Sequence, residues 1–87
     1  MQIEIKKSFL KDLKKIEKNY QLKAIELIDK FENSEILEDI SNIKKLKGCT
    51  NFFRVRIFDY RVGIVFEDNI VKFVRFLHRK DIYKFFP

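Results

Sequence analysis

From Phe53 to Ile57 the chain reads Phe-Arg-Val-Arg-Ile, an unbroken alternation of apolar and cationic residues. Successive side chains of a strand leave on opposite faces, so this spacing predicts a strand with Phe53, Val55 and Ile57 on one side and Arg54 and Arg56 on the other. Such a strand has to belong to a sheet whose apolar face is covered. The residues that follow supply more sheet. Tyr60 to Phe66 is rich in β-formers after a turn at Asp59, and Glu67-Asp68-Asn69 separates it from Ile70 to Leu77. Three consecutive strands with short connections make an antiparallel meander.

Upstream of Gly48 the period changes. Gln2-Ile3-Glu4-Ile5-Lys6 alternates as a short half-buried strand, and Ser8 has the chemistry of a helix N-cap. Phe9, Leu10, Leu13 and Ile16 then recur at helical spacing, with Lys11, Asp12, Lys14, Lys15 and Lys18 on the wet face, in a helix predicted to end near Asn19. Leu22, Ala24, Ile25, Leu27, Ile28 and Phe31 predict a second helix close behind, hence an antiparallel helical hairpin. Residues 33–47 fit a helical turn or an ordered connector equally well. Lys80 to Phe86 has room for one or two helical turns.

This order predicts an α+β fold. An antiparallel twisted sheet, made of the N-terminal strand and the C-terminal meander, would carry the helical hairpin on one face and the arginines on the other, with a short C-terminal helix. With 87 residues the chain has room for one domain, spanning 1–87. Ten Phe and three Tyr give that domain a core without staples.

The single Cys49 leaves no internal disulfide, no zinc-ligand spacing occurs, and the N-terminus lacks the apolar run of a signal peptide. The expected setting is a reducing cytoplasm. No apolar stretch approaches the roughly 18 residues of a membrane helix. The net charge of +6 is unevenly spread. Residues 1–47 hold 11 Lys, no Arg and 9 acids, whereas residues 48–87 hold 5 Arg, 3 Lys and 4 acids. Arginine is the planar, bidentate donor suited to phosphate, so the segregation points to an anion-binding surface built late in the chain.

Leu46-Lys47-Gly48, Phe53 to Ile57, Asp59-Tyr60-Arg61-Val62 and His78-Arg79-Lys80-Asp81-Ile82-Tyr83 together resemble the RelE/ParE toxin superfamily in residue type, order and spacing. The RelE-like branch implies a toxin of a type II toxin–antitoxin system, an endoribonuclease that cuts translated mRNA in the ribosomal A site without metal or cofactor. It also implies a cognate antitoxin as partner and no role in a membrane. By position, the resemblance places the family's functional residues on Arg54, Arg56, Arg61, Arg79 and Tyr83.

Cleavage by a ribose 2′-oxygen needs alignment, neutralisation of the charge growing on phosphate, and proton transfer at both ends. The four arginines provide the neutralisation. RelE itself has lysines at the positions of Arg54 and Arg56, and arginine is a poor base, so proton transfer falls to Tyr83 or to His78, the one side chain of a type that titrates near neutrality. Arg75 has no counterpart in the family's functional set and is expected to make a secondary RNA or antitoxin contact. Two rivals share the fold: a ParE-like poison of DNA gyrase that acts by binding, and a nucleic-acid-binding module without activity.

Overall fold

The alternating run becomes an interior strand of a sheet. The structure, a computed structural model, describes residues 1–87. In chain order the elements are β1 (Gln2–Ile5), α1 (Lys7–Lys14), α2 (Lys18–Glu32), a short 3-10 turn (Leu37–Asp39), β2 (Ile43–Lys45), β3 (Phe52–Ile57), β4 (Tyr60–Glu67), β5 (Ile70–His78) and α3 (Arg79–Phe85). The strands form one sheet in the order β1-β5-β4-β3-β2. The meander β3-β4-β5 is antiparallel as expected. Its second turn has Asp68 and Asn69 at positive φ (55° and 61°), the mirror-image turn whose twist matches that of the flanking strands.

Several features depart from expectation. The sheet is mixed, because β1 runs parallel to β5. Both helices and three strands lie between them in the chain, so no hairpin imposes the antiparallel sense. A fifth strand, β2, lies antiparallel to β3 at the outer edge; with three residues it is too short to display a period. Finally, α1 stops at Lys14. The Gln21 side-chain amide donates to the carbonyls of Leu13 and Ile16 at 2.8 and 3.0 Å, satisfying acceptors that a longer helix would have used.

The entry into α1 also differs. Lys6 occupies the N-cap position, while the Ser8 hydroxyl donates to the carbonyl of Val74 and ties the helix to β5. Phe9 is followed at helical spacing by Asp12, Leu13 and Ile16, so Asp12 faces inward and is only 7% exposed, whereas Leu10 faces out. In α2 the inward set is Ala24, Leu27 and Phe31, with Leu22 and Ile25 exposed.

Both helices cover one face of the sheet. Phe9, Ala24, Leu27 and Phe31 meet Val55, Ile57, Val62, Ile64, Val71, Phe73 and Phe76 in a continuous core. The Phe73 ring meets Phe9 and Phe31 edge-on, at centroid separations of 5.5 and 5.4 Å. Each such buried ring contributes roughly 1.5–3 kcal/mol. The other face is not left wholly to arginine, because α3 folds back over part of it. Leu46, Ile82 and Phe86 form a second small core with Phe52, Val65, Val74 and Leu77. The uncovered remainder is the cationic surface. No helix is long and apolar enough to cross a membrane.

Candidate nucleic-acid interface

Strand pairing decides which cations meet. On β3, Arg54 and Arg56 lie on the face away from α1 and α2, and Arg61 of β4 stands directly across from Arg56. On the other side of β3, Lys44 of β2 is the neighbour of Arg54. Like charges directly opposite one another on a sheet repel, and this arrangement places two such pairs side by side. Neither Lys44 nor any of these three arginines pairs with a carboxylate; the carboxylate partners of arginine in the molecule, Asp12 and Asp59, take Arg75 and Arg79. An anion bound between them would relieve the repulsion.

Neutral groups aim these side chains. One Arg61 nitrogen donates to the carbonyls of Phe58 and Tyr60 at 2.8 and 2.9 Å. Arg56 donates to the Asn42 side-chain oxygen at 3.4 Å. The Arg54 guanidinium lies 4.5 Å from the centre of the Tyr83 ring, in a cation–π contact. Together Asn42, Lys44, Arg54, Arg56, Arg61 and Tyr83 line an open groove of about 400 Å³ that contains no acidic residue.

Tyr83 reaches this groove because α3 is anchored on either side of it. Ile82 and Phe86 are buried, while Tyr83 between them is 69% exposed. The Phe86 ring sits against the backbone of Gly63, where a Cβ would stand only 2.7 Å from ring carbons. Gly63 pairs with Arg54 across β3 and β4, so the residue that seats α3 is also the one beside the central arginine.

The remaining sequence candidates lie outside the groove lining. Arg79 begins α3 one turn before Tyr83; its N–H donates to the Asp59 carbonyl at 2.7 Å, and its exposed side chain lies 3.9 Å from the Asp59 carboxylate. His78 caps α3, its Nδ1 accepting from the Lys80 N–H at 3.2 Å, with its ring edge-on to Tyr60. Arg75 leans to the opposite edge. It donates twice to Asp12, at 2.7 and 3.0 Å, and this hydrogen bonding holds its proton more tightly than usual. Its guanidinium lies 5.6 Å from the Phe85 ring. Sequence reading missed Lys44 and Asn42. The only signal for them was the lysine density of Ile43 to Lys47, which identifies no face without a known strand partner.

A family model for the ParE toxin of type II toxin–antitoxin systems matches residues 3–83. The chain belongs to the RelE/ParE toxin superfamily. Toxin RelE3 of Methanocaldococcus jannaschii is 39% identical over 88 residues, with 100% of both chains covered. The toxin in the crystal structure of the RelB-RelE antitoxin-toxin complex from Methanococcus jannaschii superposes with a TM-score of 0.84 at 37% identity, over 97% of this chain and 99% of that one. An archaeal RelE-RelB complex from Pyrococcus horikoshii OT3 shares the fold at a TM-score of 0.72 and 24% identity, over 90% of this chain and 93% of the other. Within this RelE/ParE fold, the present chain offers a groove of three arginines and a lysine beside an exposed tyrosine.

Proposed function

We propose that this toxin is a metal-independent endoribonuclease that cuts translated mRNA in the ribosomal A site of the cytoplasm, and that a cognate antitoxin neutralises it. The observation that carries this reading is the groove in which Lys44, Arg54, Arg56 and Arg61, all without acid partners, surround the exposed Tyr83. A phosphodiester fits that charge. The ribose 2′-oxygen attacks the neighbouring phosphorus and loses its proton; the bond from phosphorus to the 5′-oxygen breaks, and that oxygen gains a proton. The products are a 2′,3′-cyclic phosphate and a 5′-hydroxyl.

The arginines bear the charge that accumulates on the non-bridging oxygens, and preorganised donors of this sort are worth about 10²–10³-fold each. Tyr83, at the groove wall, is assigned the proton transfer that is coupled to the attack. Arg79, exposed one helical turn away, meets a flanking phosphate. His78 is assigned mainly to the cap of α3, and Arg75, held by Asp12, to packing. The antitoxin assignment draws on the relatives solved as complexes with RelB and on the +6 charge, which an acidic segment that orders on binding would complement.

The test is primer extension on a message translated in vitro. Wild-type toxin is expected to cut within A-site codons. Arg54→Ala should lower the rate about 10²–10³-fold, with Tyr83→Phe also strongly impaired. His78→Asn, which keeps a capping side chain, should leave most of the rate. A rate that collapses in His78→Asn and survives in Tyr83→Phe would reverse the proton-transfer assignment. The match to the ParE family model supports a second reading, and an uncut message together with inhibited supercoiling by DNA gyrase would replace the nuclease with it.

A further inference from the structure

Tyr83 and Arg54 form a shared wall rather than the end of the groove. Beyond them lies a second open hollow of about 440 Å³, lined by Lys44, Lys45, Lys47, Leu46, Cys49 and Phe86 together with that wall and Pro87. Its chemistry differs from that of the first. Narrow edges of the buried Leu46 and Phe86 reach its floor beside the half-buried Cys49, while Lys45 and Lys47 stand exposed at the rim, and again no acidic residue lines it. The rim is held in shape, since the Leu46 N–H donates to the Phe52 carbonyl at 2.9 Å and Gly48 makes the turn at φ 77°.

We infer that this hollow is a nucleotide subsite: it takes the base of a nucleotide next to the scissile phosphate against Leu46, Cys49 and Phe86, while Lys45 and Lys47 hold its phosphates. The inference rests on the endoribonuclease reading for the position of the scissile phosphate. Single-stranded RNA is gripped by a cationic track combined with apolar or aromatic surfaces on which bases lie. The two hollows share Lys44, Arg54 and Tyr83, so a strand that occupies both must cross the Tyr83 ridge. The reacting ribose then sits on the ridge, with one neighbour among the arginines and the other on the apolar floor. An acidic peptide would satisfy the lysines but brings no base to lie against the apolar floor.

Cys49 is the only cysteine and is partly exposed, so it reports on the hollow directly. The probe is a short oligoribonucleotide with 2′-O-methyl groups, which cannot be cut. Two measurements are made: the rate of Cys49 alkylation by iodoacetamide, and the salt dependence of binding. The oligonucleotide should protect Cys49. In the Lys45→Gln/Lys47→Gln double variant protection should weaken, and the slope of log affinity against log salt should fall by about 1.4, at roughly 0.7 for each phosphate no longer neutralised.

An unprotected Cys49 with an unchanged salt slope overturns the subsite, whether or not the wild type cleaves. Protection by polyglutamate and not by the oligonucleotide overturns it as well, and makes the hollow a protein-binding surface. If Cys49 is protected in a lysine-dependent way by a toxin that does not cleave, the subsite stands and the nuclease reading fails.

Discussion

Asp12 satisfies three donors with one carboxylate: two from the Arg75 guanidinium and, at 2.9 Å, the backbone N–H of Phe76. The last of these matters because β1 pairs with β5 only as far as Phe73. Past that point the edge of β5 has no strand beside it, and Asp12 takes the place that one would have filled. Asp12→Ala would leave the buried Phe76 N–H without an acceptor and the partly exposed Arg75 without its partner, a loss of about 1–3 kcal/mol set against a total stability of about 5–15 kcal/mol for a domain of this size. Urea denaturation should show the midpoint falling sharply; a shift as small as that of a surface lysine substitution would refute the role. Neither residue was legible as half of a pair. Hydropathy alone assigns a charge among lysines to the wet face, although the spacing from Phe9 already puts position 12 on the inner one. Arg54 and Arg56 were legible because alternation states the face outright, whereas Arg61 was singled out by the family resemblance.

At the scale of elements, the meander could be read from its period and turn residues, and α3 could be read as a short helix, but not the place where α3 lands. That place is set by Phe86 against Gly63, residues 23 positions apart in the chain. Gly63→Ala puts a methyl group 2.7 Å from carbons of a ring that is itself wedged in the second core. Overpacking of this sort costs about 1–3 kcal/mol, which the domain should survive. Because Tyr83 rides on the displaced helix, cleavage should fall much further than stability. Parallel measurement of thermal unfolding and of message cleavage checks this, and equal losses in both would argue against α3 as the element that positions the tyrosine. The strand β2 was illegible for a different reason: an edge strand of three residues takes its conformation from the neighbour it pairs with, β3.

Across the whole molecule, charge is sorted by edge. Around β1 and the start of β5, cations are matched. Glu67 is held below the usual carboxylate value, first by its hydrogen bond from Lys72, and Glu4 by its hydrogen bond from Lys6. Carboxylates lowered in the folded state stabilise it above their ordinary 4.5, and that contribution fades as pH falls through the depressed values, where the unfolded chain binds more protons. Stability followed by denaturation should therefore decline below about pH 4.5, and Glu4→Gln/Glu67→Gln should flatten the decline. A decline of the same steepness would assign acid sensitivity elsewhere. At the far side of the sheet the cations have no such partners.

That far side ends in β2, whose free backbone edge invites another chain to add a strand. Its brevity, and the two lysines in its three residues, make the invitation poor, since a second copy would bring the same charges into register. The lysines that border the groove thus also keep this edge from growing, so a toxin accumulating without its partner should remain dispersed rather than form ribbons of sheet.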